Sequence, residues 1–230
     1  MFIFPACADA GIPYGLAIWA YHNYFNQTKR IPFINAYTGV SYSSKEISNL
    51  LKKNKIVFKL TSASEIAKLI SEKNIIGNFH GSSEYGPRAL GNRSILANPK
   101  EKNTKYLLDA FMKRRDRYRP YAPVVIEEEA SNFFHITGNS PVMMRNIKVR
   151  SKSLPAITHV DYSARLQTVH KKTNPRYHQL IKEFYRITGV PIIVNTSFNV
   201  RGEPIVCTPE DAYVCFMRTE MDYLVIDNLL

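Results

Sequence analysis

The sequence lacks the short signatures that identify many common enzyme mechanisms. Its 230 residues contain no Walker phosphate-binding loop, no G-x-G-x-x-G dinucleotide motif and no G-x-S-x-G nucleophile elbow. The six histidines include no pair at metal-binding spacing. With no evident nucleophile, we expect any catalysis to rest on positioning and electrostatic stabilisation, with no covalent enzyme intermediate.

Cysteine is scarce, and long apolar runs are absent. Three cysteines, Cys7, Cys207 and Cys215, form an odd set without C-x-x-C spacing, which argues against a disulfide scaffold and favours a reducing, cytoplasmic compartment. No run of about 18 apolar residues predicts a transmembrane helix. The first 19 residues contain Asp9 and two prolines and lack a basic segment, so we predict no signal peptide.

Acidic residues are few relative to basic ones. Nineteen Asp and Glu stand against 31 Lys and Arg, giving a net charge of +12. Such a balance favours an anionic partner: nucleic acid, an acidic membrane or a phosphorylated small molecule. The excess is spread through sequence with strand and helix patterns, apart from the basic run at residues 113–117. This spread argues against simple tracking of a nucleic-acid backbone, and we expect neither a membrane nor nucleic acid as partner.

Apolar periodicity predicts two regions. Strand and helix patterns alternate over residues 45–230, which indicates an α/β domain. Before it, Phe2 to Pro5 reads as a short strand and Leu16 to Phe25 as a helix, followed by a linker from Lys29 to Ser44. Within the α/β domain, the alternation from Lys55 to Leu60 predicts a further strand.

One stretch, from Gly86 to Ser94, concentrates unusual chemistry. It holds two glycines, a proline, two arginines, an asparagine and a serine within nine residues. Such a turn can direct guanidinium and backbone N–H groups at one anionic ligand. Taken alone, the same composition also fits a surface turn with solvated arginines.

Three later stretches repeat this chemistry beside apolar strands: Lys113 to Pro123, Ala164 to Thr168 and Asn195 to Asn199. Four or more charged hydrogen bonds, each worth about 1.5–3 kcal/mol, could hold a triphosphate or an acyl phosphate. The candidate anion ligands are Arg88, Arg93, Lys113, Arg115, Arg119, Arg165 and Arg201, with neutral donors from Asn195, Ser197 and Asn199.

These motifs closely resemble those of the NodU/CmcH-type O-carbamoyltransferases. The similar stretches run from Glu84 to Leu96, Lys113 to Pro123, Asp161 to Val169 and Gly189 to Ala212. The resemblance implies a YrdC-like domain over residues 45–230, with a twisted mixed sheet and flanking helices. It also implies that residues 1–44 are a small remnant of an actin-like ATPase-fold domain plus a linker.

The same resemblance implies an activity and its ligands. The C-terminal domain of the family binds carbamoyl phosphate and ATP with Mg²⁺ and makes carbamoyl-adenylate, and the whole enzyme carbamoylates a hydroxyl of a sugar or secondary metabolite. By motif, Lys113, Arg119, Arg165 and Ser197 match catalytic ligands of carbamoyl phosphate and nucleotide, and Arg88 and Asn195 match neighbours in that pocket. We place Arg93, Arg115 and Asn199 among the binding residues.

The sequence departs from the family most at its beginning. Asp9 matches a metal ligand of the actin-like domain, but the family's upstream H-x-x-x-H segment has no counterpart here. We therefore expect the C-terminal part of a longer or split enzyme, iron only together with a separate N-terminal actin-like domain, and that domain as a partner. Ser82 stands where the family usually has arginine, which removes one positive charge near the predicted site. Two alternatives stay open: a YrdC-like RNA-binding module and an inactive fragment.

Overall fold

The computed structural model describes residues 3–113, 119–151 and 153–230. Its centre is a mixed sheet with the strand order β4-β5-β3-β6-β2-β1-β7. The pairs β1–β7 and β3–β5 are parallel, and the other four pairs are antiparallel. The strands are β1 (Ile76–Phe79), β2 (Arg93–Ala97), β3 (Ala122–Ile126), β4 (Arg145–Lys148), β5 (Ser163–Val169), β6 (Ile192–Ser197) and β7 (Tyr223–Ile226).

Helices cover both faces of this sheet, which confirms the predicted α/β class with flanking helices. They are α1 (Ile12–Trp19), α2 (Ser44–Lys53), α3 (Ala63–Ser71), α4 (Lys102–Leu107), α5 (Ala130–Phe133), α6 (Pro175–Thr188) and α7 (Pro209–Met217). A π-helical segment, Leu108–Lys113, continues α4 and ends on the predicted site lysine. Among the residues described, no helix is both long and apolar enough to cross a membrane.

Alternation along the strands divides the core into two layers. Ile193 on β6 packs in the layer that contains Ile66 of α3 and Phe184 of α6. Its neighbours on β6 pack in the opposite layer, which contains Ile47 of α2 and Cys215 of α7. Because both faces are covered, most residues of the central strands are buried, and polar side chains such as Asn78, Gln167 and Asn195 lie in the interior.

Two of the helices begin with reciprocal caps. Ser43 Oγ accepts the backbone N–H of Glu46, whose carboxylate accepts the backbone N–H of Ser43, so α2 begins with a capping box. Thr208 and Asp211 form the same reciprocal pair at the start of α7. Each cap contributes about 1 kcal/mol.

Within residues 3–40 the structure describes one α-helix. α1 is preceded by a 3₁₀ turn, Asp9–Gly11, and continued by a π-helical turn, Ala20–Tyr24, which confirms a helix in the predicted region. Its apolar side chains are largely exposed, with Leu16 at 60% and Trp19 at 61%. The assignment of residues 1–44 to an actin-like remnant stays a prediction.

Two predicted strands are wrong. Ile3 and Phe4 do not join a sheet; the Phe4 ring instead stacks on Tyr14 with centroids 4.4 Å apart. The segment predicted as a strand before α3 makes only an isolated bridge between Leu60 and Leu229. Apolar alternation had predicted that strand, and Ile56 and Phe58 do pack against the core on either side of the exposed Val57, but backbone pairing begins only at Lys59, which exchanges hydrogen bonds with Leu230.

Candidate anion-binding site

Three buried amide side chains on separate strands hold residues 89–91 against the sheet. They act on three consecutive carbonyl oxygens. The hydrogen bonds run from Asn78 Nδ2 on β1 to Gly91 at 2.7 Å, from Gln167 Nε2 on β5 to Leu90 at 2.7 Å, and from Asn195 Nδ2 on β6 to Ala89 at 3.2 Å. Each contributes about 1 kcal/mol net, and together they fix the position of the preceding arginine, Arg88.

Glu84 holds the same turn from the other side. Its Oε1 accepts the backbone N–H groups of Leu90 at 2.7 Å, Asn92 at 2.8 Å and Arg93 at 3.3 Å. Burial raises the pKa of Glu84, and these hydrogen bonds act in the opposite direction. Sequence reasoning assigned no role to Glu84, although a carboxylate just before a glycine-rich turn is placed to accept such N–H groups.

Position 91 requires glycine for two reasons, its backbone conformation and the lack of space for a side chain. Its φ is +118°, and a Cβ there would lie 2.2 Å from the Tyr177 ring of α6. The missing side chain lets the turn lie directly on that ring. This contact holds the Gly86 to Ser94 stretch against α6.

Residues from all four predicted motifs line one cavity of about 140 Å³. Arg88 comes from the first motif and Arg165, on β5, from the third. The other lining residues are Pro87, Ala89, Pro120, Tyr121, Ala122, Met143, Asn195, Thr196 and Ser197. Stretches far apart in sequence therefore meet as predicted, with two guanidinium side chains at one small cavity.

Two polar atoms at this cavity are buried without a protein partner. Arg88 Nε and Asn195 Oδ1 have no hydrogen-bond partner among the described residues. Leaving such an atom unsatisfied costs about 1–3 kcal/mol. The two arginine side chains that line the cavity suit an anion, because guanidinium groups pair with oxyanions.

Lys113 joins Ser197 and Asn199 behind the cavity wall. Its ammonium donates to Asn199 Oδ1 at 2.7 Å, to the Asn199 carbonyl at 2.8 Å and to the Ser197 carbonyl, and it lies 3.2 Å from Ser197 Oγ. Ser197 Oγ in turn donates to Asn199 Oδ1 at 2.7 Å. Because Ser197 lines the cavity, the buried charge of Lys113 lies one side chain behind it.

Arg93 does not line this cavity, and its assignment as an anion ligand stays a prediction. Its side chain is fully buried, and the guanidinium stacks 3.6 Å from the Phe79 ring centre. Four carbonyl oxygens, those of His80, Asn92, Val40 and Gly81, accept its N–H groups at 2.7–3.1 Å. Its guanidinium is therefore engaged in holding loops together.

The remaining predicted residues lie outside this cavity. Arg119 is exposed and directly precedes Pro120, which lines the cavity. Arg201 is exposed in the turn after β6 and does not line it. Arg115 lies outside the described residues.

Asp9, the predicted metal ligand, is exposed in its 3₁₀ turn. In the described ranges, no group of three or more His, Cys, Asp or Glu side chains is placed to hold a metal ion. The described residues around Asp9 therefore do not fit an iron centre.

The fold and the cavity together define an α/β domain with a candidate site for a small anion. Residues 67–230 match the family described as "Carbamoyltransferase C-terminus", and the chain belongs to that family. The match confirms the resemblance seen in the four motifs.

Similarity to individual curated proteins supports the same family. The chain is 38% identical to nodulation protein NolO of Bradyrhizobium diazoefficiens over its whole length, which covers 44% of that protein. It is also 38% identical to the 3'-hydroxymethylcephem-O-carbamoyltransferase of Amycolatopsis lactamdurans, over 71% of this chain and 32% of that enzyme. The chain therefore spans less than half the length of these curated relatives.

A solved structure shares the fold. Full-length HypF, in a phosphate- and nucleotide-bound form, aligns with 75% of this chain and 22% of its own, with a TM-score of 0.51 and 17% identity. At that identity the likeness concerns the fold alone.

Proposed function

We propose that this protein is the part of an O-carbamoyltransferase that activates carbamoyl phosphate with ATP. The observation that carries the proposal is the meeting of four motifs at one cavity, which places Arg88 and Arg165 beside Asn195 and Ser197. The name of the cephem-modifying relative supports carbamoyl transfer as the chemistry of the whole enzyme. The acceptor is a hydroxyl of a sugar or secondary metabolite.

The balanced reaction consumes one water. Carbamoyl phosphate and water give phosphate and carbamate, and a carbamate oxygen then attacks the α-phosphorus of ATP and displaces pyrophosphate. Arg88 and Arg165 bind phosphate oxygens, since guanidinium groups pair with them bidentately. Asn195, which also lines the cavity, contacts the carbamoyl group.

Both the size and the composition of the cavity limit what it holds. About 140 Å³ suits carbamoyl phosphate, whereas a whole nucleotide needs more room, so the rest of ATP extends past Pro120 towards Arg119. The described residues that line the cavity include no carboxylate. Mg²⁺, when bound with ATP, would supply positive charge to the phosphates, and Arg88 and Arg165 would complement it at the cavity.

Exchange of labelled pyrophosphate into ATP, dependent on carbamoyl phosphate, tests this function. We expect exchange by the wild-type chain and its loss in Lys113→Ala and Arg165→Ala, with far-ultraviolet circular dichroism unchanged. The matched control is Arg186→Ala, an exposed arginine on α6 that should keep full exchange. A folded wild-type chain that shows no exchange contradicts the proposal.

Basic charge supports one alternative, a double-stranded RNA or tRNA module. The net charge of +12 would give RNA affinity that falls steeply with salt, because phosphate contacts release counterions. Calorimetry separates these possibilities: micromolar ATP binding favours the enzyme, salt-sensitive RNA binding without ATP binding favours the module, and neither favours an inactive fragment.

A further inference from the structure

Helix α6 is capped at its start by a buried asparagine, Asn174. Its Oδ1 accepts the backbone N–H of Tyr177 at 3.0 Å, which is an ordinary helix cap. Serine and aspartate cap helices as well as asparagine does, but of the three only asparagine has an amide N–H to donate. Capping therefore accounts for the amide oxygen of Asn174, and the amide nitrogen has a separate partner.

That partner lies in the turn that carries Arg88. Asn174 Nδ2 donates to Asn92 Oδ1 at 2.9 Å, and both side chains are buried. The two residues are 82 positions apart in sequence, so this bond joins the first turn of α6 to the end of a distant turn. Together with the packing of Gly91 on the Tyr177 ring, it fastens that turn to the helix.

Asn92 is in turn bonded to the carboxylate of Glu84. Its Nδ2 donates to the Ser82 carbonyl at 2.7 Å, which identifies Oδ1 as the acceptor of the bond from Asn174. Its backbone N–H donates to Glu84 Oε1 at 2.8 Å, and the same oxygen accepts the backbone N–H of Leu90 at 2.7 Å. A continuous series of hydrogen bonds therefore runs from α6 to the middle of the turn.

The Asn174 side chain also reaches Tyr37, a second residue that binds the turn. The Tyr37 hydroxyl donates to the Leu90 carbonyl at 3.0 Å. Burial raises the pKa of this hydroxyl, although a hydrogen bond with the Asn174 side chain acts in the opposite direction. That opposing direction is the one expected when an N–H group donates to the phenolic oxygen. Asn174 thus contacts two residues, Asn92 and Tyr37, that hold the turn directly.

We propose that Asn174 is a positioning residue for the anion-binding cavity, and that its amide N–H groups hold the turn of residues 84–92 so that Arg88 stays at the cavity. Asn174 does not line the cavity itself, and it acts through Asn92. This inference rests on the proposed function, because it assigns Asn174 to the same site. A guanidinium group that is already fixed loses less conformational freedom when an anion binds, so the anion binds more tightly.

Asn174→Ser separates positioning from capping, because serine keeps the helix cap but is too short to reach Asn92. Calorimetric titration with inorganic phosphate measures the anion site without any turnover. We expect the wild-type chain to bind phosphate and Asn174→Ser to bind it about fivefold more weakly, the equivalent of one hydrogen bond, with little change in melting temperature. In pyrophosphate exchange, the KM for carbamoyl phosphate should rise by a similar factor while kcat changes little.

Ser62→Ala is the matched control, because Ser62 caps α3 by accepting the backbone N–H of Glu65 and has no recorded bond to the turn. It should lower the melting temperature and leave phosphate affinity unchanged. A double-mutant cycle tests the path: the effects of Asn174→Ser and Asn92→Ala on phosphate affinity should be clearly less than additive, because both remove the same hydrogen bond.

Four outcomes would overturn the inference. They are a wild-type chain that binds no phosphate, unchanged phosphate affinity in Asn174→Ser, an equal loss of affinity in Ser62→Ala, and full additivity in the cycle. Phosphate binding that weakens as expected, in a chain that shows no pyrophosphate exchange, would support the positioning role of Asn174 and contradict the proposed function.

Discussion

Asn195 on β6 donates from Nδ2 to Gln167 Oε1 on β5 at 2.8 Å, across the strand β3 that separates them. Both side chains are buried, and each also donates to a carbonyl of the turn that carries Arg88. The pair therefore links the third and fourth motifs to the first, and it places Arg88 and Arg165 at the same cavity. Polar side chains in a dry interior can specify such an arrangement because leaving them unpaired is costly.

Gln167→Leu tests this link. The leucine leaves Asn195 with one hydrogen bond fewer and removes a donor from the Leu90 carbonyl, so the free energy of unfolding should fall by about 2 kcal/mol. Urea denaturation measures that change, and pyrophosphate exchange should fall as well because Arg88 is less firmly held. Gln179→Leu, at an exposed position on α6, is the control. Equal stability of the two variants would show that the buried amide pair does not hold the turn.

Arg93→Lys should act on stability and leave ligand binding intact. A lysine cannot reach four carbonyl oxygens or stack on Phe79, so we expect a loss of about 2–4 kcal/mol in urea unfolding. The folded variant should bind ATP with wild-type affinity in calorimetry. Arg201→Lys, at an exposed position, should change stability little. A weakened ATP affinity with unchanged stability would show that Arg93 takes part in ligand binding.

Two glycines with positive φ should respond differently to alanine. Gly91→Ala meets both an unfavourable φ and the Tyr177 ring, so it should destabilise by more than about 4 kcal/mol or prevent folding. Gly138→Ala has a φ of +72° but no atom within 4 Å of the new methyl group, and about 1 kcal/mol is expected. Thermal unfolding of both variants distinguishes packing from backbone strain. Similar melting temperatures would mean that the ring contact is unimportant.

His80 should make stability depend on pH. Burial lowers its folded pKa to about 3, and its unfolded pKa is near about 6.5, so below that value the unfolded chain binds a proton that the folded chain does not. The free energy of unfolding should fall as pH drops from 6.5 towards 3, by up to about 1.4 kcal/mol per pH unit from this group.

Urea unfolding at several pH values checks this slope. His80→Gln removes the titrating group and should flatten the dependence in that window. His135→Gln, on an exposed side chain, should not alter it. An identical pH profile in wild type and His80→Gln would show that another titrating group causes the loss of stability in acid.

Iron binding should require sequence beyond this chain. Asp9 is one exposed carboxylate, and a selective iron site draws on several histidine and carboxylate ligands. We expect metal analysis of the purified chain to find no stoichiometric iron, and addition of an N-terminal actin-like part to restore it. The exposed side chains of Leu16 and Trp19 are the expected docking surface. One tightly held iron per chain, lost in Asp9→Ala, would contradict this.

Local sequence patterns were enough to predict most helices and buried strands and the residue types of the site. Capping pairs such as Ser43 with Glu46 act over three residues, so they can be read without knowing the fold. Buried strands were predictable for the same reason, since an apolar run bounded by turn residues needs only its own chain. Lys113, Ser197 and Asn199 were predicted to act together because their motifs share one chemistry, and the structure joins them by hydrogen bonds.

Which polar side chains line the cavity and which hold the protein together became visible only in the folded structure. Arg88 and Arg93 lie five residues apart in one motif, yet one lines the cavity and the other is enclosed by carbonyls from residues 40, 80, 81 and 92. The bridge between Leu60 and Leu229 joins residues that are far apart in sequence. The alternation of apolar residues around Leu60 therefore could not predict that Leu229 would be its partner. Burial and hydrogen-bond partners are properties of chain segments that meet only on folding, and so they cannot be read from spacing along one segment.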